Sequence, residues 1–191
     1  MENKFKKYIQ KIVPIEDDEF EKTIVKFKKV TLKKGDFFIE QNQISTQIAF
    51  ISSGMLRTYY INDKGEQITS CFCVENNLAA SYKSFITQLP SKLSIIALEK
   101  TELLVIKYNA LQELYEKSIN WQIIGRLMAE KEFIVMEQYA SILNNETAKE
   151  KYLRLLKEQP EILKKAPINY IASYLGVTRR TLSRIRKEIS E

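Results

Sequence analysis

The spacing of hydrophobic residues changes twice along this chain of 191 residues, from helical to extended near Val30 and back to helical after Tyr108. Residues 2–12 and 16–28 have the apolar spacing of two short amphipathic helices. The middle region contains short β-type runs with turn signals between them, which predicts a compact antiparallel roll or barrel. The predicted strand segments are residues 30–41, 48–63, 66–75, 93–99 and 101–108.

A longer helical pattern occupies residues 109–143, and we expect Asn109 to cap its first segment. The rest of the pattern carries a wide apolar stripe. This stripe comprises Trp121, Ile124, Leu127, Met128, Ile134, Val135, Tyr139 and Ile142. Such a helix can pack only on its own β-roll, or it can pair with a second copy of the chain.

Residues 144–191 predict a small helical module. Asn144 and Asn145 form a candidate hinge, because asparagine tolerates unusual backbone angles. The residues that follow predict a helix that ends at Pro160 and has four inward-facing side chains. Those side chains are Ala148, Tyr152, Leu155 and Leu156.

The last stretch of the chain, residues 167–191, has the pattern of two short helices joined by a tight turn at Gly176. The first helix has apolar residues spaced i, i+3, i+4 and i+7, namely Ile168, Ile171, Ala172 and Leu175. We place Thr178 as the N-cap of the second helix. At about 100° per residue, one face of that helix is then apolar, formed by Leu182, Ile185 and Ile189.

The opposite face of this second helix is polar and basic. It carries Arg179, Arg180, Ser183, Arg184 and Lys187. Arginine pairs bidentately with guanine in the major groove, and lysine suits phosphate. The pattern therefore predicts a helix-turn-helix whose second helix reads DNA, with an ordinary helical hairpin and a solvated basic face as the alternative.

The charge distribution favours DNA as the partner of this module. The chain has a net charge of +6, and residues 144–191 hold 11 Lys and Arg against 6 Asp and Glu. Most of the positive excess therefore lies in the last quarter of the chain, as expected for a basic reading module on a nearly neutral body. A two-fold DNA reader needs a two-fold axis, so we expect a homodimer formed by the helix around Ile124–Ile142.

Composition excludes several other functions. The chain has no histidine, which removes Ser-His-Asp catalysis and histidine-ligated zinc, haem or non-haem iron. Cys71 and Cys73 are the two cysteines, which we interpret as small core residues in preference to a redox pair. We expect no catalytic residue, no metal and no cofactor. The chain lacks the apolar run of a membrane span or a secretory signal, so we expect a cytoplasmic protein without a membrane partner.

Three stretches, LKKGDFF, FISSGMLRTYYINDKGEQI and IASYLGVTRRTLSRIRK, resemble the Crp/Fnr family of bacterial transcription regulators. The resemblance covers nearly the whole chain, and the last stretch is the most specific. It implies an α+β fold, with an N-terminal double-stranded antiparallel β-roll, flanking helices and a long dimerisation helix in residues 1–143. A small helix-turn-helix domain follows in residues 144–191. It also implies base contacts from Arg179, Arg180 and Arg184, and contacts to phosphate or adjacent bases from Thr181, Ser183 and Lys187.

The candidate effector pocket departs from the cyclic-nucleotide binders that this family contains. Those proteins carry Gly-Glu about ten residues before an arginine, so that charged groups hold the phosphate and the ribose. An ungapped comparison places Ala80 and Ser81 at Gly-Glu and Ser91 at the arginine, with Tyr82 and Lys92 beside them. We therefore expect an effector other than a cyclic nucleotide, or none.

Two further departures concern DNA recognition. Family members that read a TGTGA-like half-site have glutamate where this chain has Arg180, so we expect a different operator. The sequence ends soon after the second helix, so we expect the usual β-wing to be missing or vestigial. The sequence thus predicts a dimeric regulator that binds double-stranded DNA, with RNA polymerase as a further candidate partner. The alternative is a regulatory or scaffold protein whose basic helices bind a protein.

Overall fold

The structure, a computed structural model, describes residues 1–190, with the side chains of residues 138–145 and 190 left outside the description. The helices in these residues are α1 (Glu2–Gln10), α2 (Asp17–Ile24), α3 (Tyr82–Thr87), α4 (Tyr108–Lys117), α5 (Ile119–Asn145), α6 (Ala148–Glu158), α7 (Pro160–Lys165), α8 (Ile168–Leu175) and α9 (Arg179–Ser190). The strands are β1 (Lys28–Leu32), β2 (Phe37–Ile39), β3 (Gln47–Ser53), β4 (Met55–Ile61), β5 (Gln67–Val74), β6 (Leu78–Ala79), β7 (Ser94–Ala97) and β8 (Thr101–Lys107).

The strands form two four-stranded sheets, with strand orders β1-β8-β3-β6 and β2-β7-β4-β5. The pairs of β8 with β1 and β3 are antiparallel, as are β2 with β7 and β3 with β6. Apolar side chains from both sheets share one core, which includes Ile51, Leu56, Ile95 and Leu103. The predicted α+β class, with an antiparallel β-roll, flanking helices and a long helix, is confirmed.

The turn between β3 and β4 depends on Gly54. Its φ of +97° lies in the region that favours glycine. A Cβ at this position would lie 2.7 Å from the carbonyl oxygen of Lys100 and 2.5 Å from the Thr101 hydroxyl oxygen. Glycine is therefore required both by the backbone angle and by the close approach of β8.

A second core packs helices against the first sheet. Phe5 and Ile9 of α1, Phe20 of α2, and Trp121 and Ile124 of α5 are all buried in it. Two polar links hold the start of α5 to α2. The Trp121 indole donates to Thr23 Oγ1 at 3.1 Å. The carboxylate of Glu19 accepts from Ser118 and Asn120 at 2.5 and 2.7 Å.

The long apolar stripe of α5 divides into two parts. Trp121 and Ile124 are 3% and 1% exposed within the core of their own chain, so the expectation that Ile124 belongs to an interface between copies is wrong. Leu127 and Met128 are half-buried against the same core. Residues 130–137, in contrast, are all exposed. The last two predicted members of the stripe, Tyr139 and Ile142, lie outside the described side chains.

Several element boundaries differ from the sequence-based expectations. The N-cap of α4 is Lys107, so Asn109 lies inside the helix and does not cap it. Helix α6 ends just before Pro160, as predicted, but Pro160 is also the first residue of α7, which was not predicted. Proline suits the first helical turn, where its missing N–H needs no partner. The short elements β6 and α3 were not predicted, since two and six residues show no clear periodicity.

Contacts between residues divide the chain into two compact units. The first comprises Met1–Thr58 with Cys73–Glu132, and the second comprises Tyr59–Phe72 with Phe133–Glu191. The hairpin segment Tyr59–Phe72 thus groups with the C-terminal helices. The division of the chain into domains 1–143 and 144–191 stays a prediction, and its hinge candidates Asn144 and Asn145 have side chains outside the description.

Candidate nucleic-acid interface

Helix α8 forms where the sequence predicts it and ends at Gly176. Its Ile171, Ala172 and Leu175 are buried, since their spacing places them on one side of the helix. Gly176 has a φ of 72°, and its N–H donates to carbonyls of the last turn. The N–H of Val177 then donates to the carbonyl of Ala172 at 2.9 Å. This left-handed glycine cap turns the chain into the next helix.

Thr178 caps α9, as the sequence predicts. The N–H of Thr181 donates to Thr178 Oγ1 at 3.1 Å, and the N–H of Leu182 donates to the Thr178 carbonyl at 3.0 Å. These bonds satisfy N–H groups that a helix start otherwise leaves unpaired. Leu182 and Ile185 are 0% and 5% exposed, so the apolar face of α9 is buried and fixes the rotation of the helix.

That rotation leaves the predicted DNA-contacting residues at the surface. Exposed side chains are those of Arg179, Arg180, Ser183, Arg184 and Lys187, whereas Thr181 is half-buried beside the cap. The Arg184 side chain is 73% exposed, and its Nε lies 3.8 Å from Glu188 Oε1. Such a long, exposed ion pair is weak, so the guanidinium can form other hydrogen bonds at little cost.

Helix α6 packs against α8 and α9, and α7 packs against α8. Thr147 and Glu150 form a reciprocal capping box at the start of α6, and this hydrogen bonding lowers the pKa of the Glu150 carboxyl. Tyr152, Leu155 and Ile162 are buried. Leu156 is 43% exposed, so the prediction that it faces inward is wrong, because Leu155 already occupies the inward position.

The β4–β5 hairpin segment contacts α8 within the same compact unit. The Thr69 N–H donates to Ser173 Oγ at 2.9 Å, and the same hydroxyl donates to the Gln67 carbonyl at 3.3 Å. Phe72 and Tyr174 pack edge to face, with ring centroids 5.4 Å apart. Since β5 is at the edge of its sheet, α8 pairs with backbone groups that would otherwise face water.

The two serines of the candidate effector pocket are hydrogen-bonded to each other. Ser81 and Ser91 are 3% and 1% exposed, and their hydroxyl oxygens lie 2.7 Å apart. Ser91 Oγ also accepts from the Leu93 N–H at 3.0 Å. Cyclic-nucleotide binders have a glutamate and an arginine at the two compared positions. Here the same positions are two neutral serines that hydrogen-bond to each other.

The other residues of this candidate pocket do not join the serine pair. Ala80 is half-buried, while Tyr82 and Lys92 are exposed. Tyr82 instead borders an open cleft of about 280 Å³ between α3, α4 and α5. The cleft is lined by Ile48, Tyr82, Phe85, Ile86, Tyr115, Gln122, Gly125 and Arg126. Sequence reasoning found only Tyr82, because the lining comes from four separate segments.

The two cysteines of β5 have different environments. Cys71 is exposed, whereas Cys73 is half-buried against the β-roll core. The expectation that both are core residues is therefore wrong for Cys71. Strand β5 is irregular, with Thr69 and Phe72 buried, so the simple two-residue alternation does not hold along it.

Comparison with known proteins identifies the fold. Residues 29–118 match the family described as the cyclic nucleotide-binding domain. No curated protein matches the chain. Among solved structures, FixK2 from Bradyrhizobium japonicum is similar at a TM-score of 0.70, with 19% identity over 86% of this chain and 84% of that one.

Two other solved structures show the same fold. The c-di-GMP responsive global regulator CLP from Xanthomonas campestris gives a TM-score of 0.70, with 15% identity over 92% of both chains. A protein from Eubacterium rectale, described as a transcriptional regulator of the Crp/Fnr family, gives 0.65, with 21% identity over 92% of this chain and 84% of that one. Among the described helices, none combines the length and apolarity that a bilayer crossing requires.

Proposed function

We propose that this chain, which has the fold of the Crp/Fnr transcription regulators, is a sequence-specific, DNA-binding transcription regulator that acts as a homodimer. It has no catalytic role in this proposal. Double-stranded DNA is its principal partner, and RNA polymerase is a candidate second partner at the promoter. Residues 144–191 form the helix-turn-helix domain, and residues 1–143 form the sensor and dimerisation domain.

The observation that carries the proposal is the orientation of α9. Its apolar face is buried, and a hydrogen-bonded cap fixes its start, so the basic face is held at the surface. An α-helix fits the major groove of B-DNA. In our proposal, Arg179, Arg180 and Arg184 contact base edges, while Lys187, Ser183 and the half-buried Thr181 contact phosphates or neighbouring bases.

Exposure along α5 supports the homodimer. Phe133 and Met136 are 70% and 69% exposed, and Ile134 and Val135 are 52% and 47% exposed. These four consecutive residues form one turn of exposed apolar surface that nothing in their own chain covers. Exposed apolar surface of this kind commonly marks an interface, and a second α5 would cover it while bringing two reading helices together.

The effector of this regulator is not a cyclic nucleotide in our proposal. A buried cyclic phosphate must exchange its water for charged and hydrogen-bonding partners. Ser81 and Ser91 offer neutral hydroxyls that already bond to each other, and Lys92 offers only a flexible point charge. The 29–118 match supports the β-roll architecture, which a non-nucleotide effector or a scaffold can share.

The test begins with selection of genomic DNA fragments by the purified full-length chain. Fluorescence anisotropy on a selected duplex and on a scrambled duplex then measures affinity at several salt concentrations. We expect tighter binding to the selected duplex and a steep loss of affinity with salt, because lysine and arginine release counterions from phosphates. Absence of both enrichment and salt-dependent binding would refute the proposal and favour a protein partner for α9.

A further inference from the structure

The cleft between α3, α4 and α5 combines apolar side chains with hydrogen-bond donors, one of which is positively charged. Ile48 of β3 and Phe85 and Ile86 of α3 supply the apolar side. The lining also includes Tyr115 of α4 and Arg126 of α5. The lining thus contains hydrogen-bond donors and a permanent positive charge, with no carboxylate among the residues that line it.

Gly125 shapes the wall of this cleft. A Cβ at this position would lie 2.7 Å from the hydroxyl oxygen of Tyr115 and 2.8 Å from the ring carbon that carries it. The tyrosine ring therefore lies directly on the backbone of α5. Glycine within a helix costs about 1 kcal/mol relative to alanine, and here it permits the phenol to occupy the cleft wall.

The hydroxyl of Tyr115 is available to a ligand. Among the described residues, no side chain or carbonyl forms a hydrogen bond with it. Burial, with a further contribution from nearby Tyr82, raises the pKa of Tyr115 to about 12, so the group remains a neutral O–H donor at physiological pH. Gln122 fixes the end of α4 by donating from Nε2 to the Tyr115 carbonyl at 2.5 Å.

Arg126 is also available. Its side chain is 60% exposed, and one terminal nitrogen contacts Glu130 at 2.6 Å. A guanidinium has five N–H groups, so this surface ion pair leaves donors for another oxyanion. Two further lining residues, Tyr82 and Ile86, are 49% and 51% exposed, which leaves apolar surface for the body of a ligand to cover.

We propose that this cleft is a binding site for a small amphipathic carboxylate. The carboxylate bonds to Arg126 and the Tyr115 hydroxyl, and the apolar body covers Ile86, the Tyr82 ring and Ile48. A volume of about 280 Å³ lies near the lower end for small-molecule sites, which selects a compact ligand. Binding does not depend on DNA recognition, whereas a role as the effector site rests on the proposed function.

Calorimetry on the full-length chain without DNA tests the site, with 3-phenylpropionate as the probe and 3-phenylpropionamide as its uncharged counterpart. We expect the acid to bind with a dissociation constant below about 1 mM and the amide to bind about 10- to 100-fold more weakly, because hydrogen bonds to charged groups are the stronger ones. No heat with the acid at 10 mM, or equal affinities for both compounds, would overturn the proposal.

Variants locate the binding on the molecule. Arg126→Gln should abolish the preference for the acid, and Gly125→Ala should weaken both compounds by displacing the Tyr115 ring. Lys117→Gln, an equal change of charge on the exposed surface of α4, is the control and should bind as the parent chain does. If Gly125→Ala does not fold, the Arg126→Gln result alone tests the site, because a substitution of this exposed side chain should leave the fold intact. An unchanged preference in Arg126→Gln, or an equal loss in Lys117→Gln, would refute this site.

The probe also separates this site from the proposed function. If the acid binds in the expected way but no duplex DNA binds, the cleft is a ligand site and the regulator proposal fails. If DNA binds and the acid does not, the regulator proposal stands and the cleft proposal fails. When both bind, anisotropy with and without 3-phenylpropionate measures whether occupancy of the cleft changes operator affinity.

Discussion

Replacing Arg184 tests the direction in which α9 presents its basic face. The side chain is 73% exposed and its contact with Glu188 spans 3.8 Å, so Arg184→Ala removes little stability from the free protein. A bidentate contact between arginine and guanine contributes about 1–3 kcal/mol of discrimination. We expect Arg184→Ala to weaken binding by about 5- to 150-fold for each half-site, at 1.4 kcal/mol per factor of ten.

A two-fold operator contains this contact twice, so the loss on a palindromic duplex should approach the square of the half-site value. Arg184→Lys is the informative companion, because it retains the charge and removes the planar fork. It should keep the salt dependence yet lose preference for the selected sequence. Lys164→Ala, an exposed basic residue of α7, is the matched control and should leave sequence preference unchanged.

Anisotropy with the selected duplex measures these affinities, and circular dichroism with sedimentation checks that each variant remains folded and dimeric. Glu188→Gln provides a test of opposite sign. Its carboxylate lies within 3.9 Å of Lys149 and 3.8 Å of Arg184, and its loss removes repulsion from DNA phosphates, so affinity should rise modestly. An Arg184→Ala dimer that binds the operator with unchanged affinity would refute the assignment of α9 as the reading helix.

Three further predictions concern assembly, stability and ligand. Ile134→Glu should convert the dimer to monomer in sedimentation at micromolar concentration, while Lys131→Glu on the same exposed segment should not; a stable parent monomer would contradict the dimer itself. Leu182→Ala should lower the free energy of unfolding by about 2–5 kcal/mol, because Leu182 is 0% exposed, whereas Leu156→Ala should cost far less at 43% exposure; equal losses in denaturant titrations would contradict the packing of α9. Cyclic AMP and cyclic GMP should give no heat in calorimetry and leave DNA affinity unchanged, since two neutral serines replace a charged pair; micromolar binding would show that another residue supplies that charge.

The best-predicted parts of the molecule are those whose signals are local in sequence. The Thr178 cap, the Gly176 turn and the buried face of α9 all depend on residues within about one helical turn, so counting along the chain was enough. The antiparallel strands were likewise marked by short apolar runs between turns. Pro160 was also a local signal, since α6 ends just before it, but the sequence analysis did not predict that the same proline begins α7.

Contacts between segments that are distant in the sequence were decided only by the tertiary structure. The apolar pattern of α5 is continuous, yet the fold buries Ile124 and leaves Ile134 exposed, since periodicity shows which face is apolar but not what covers it. Ser81 and Ser91 form a hydrogen bond although the whole of α3 separates them in the sequence. Ser173 bonds to β5, more than one hundred residues away in the sequence. The cleft around Tyr115 draws its lining from β3, α3, α4 and α5. Such encounters depend on how the chain closes its loops and fills its core, and these are properties of the whole fold that no local pattern encodes.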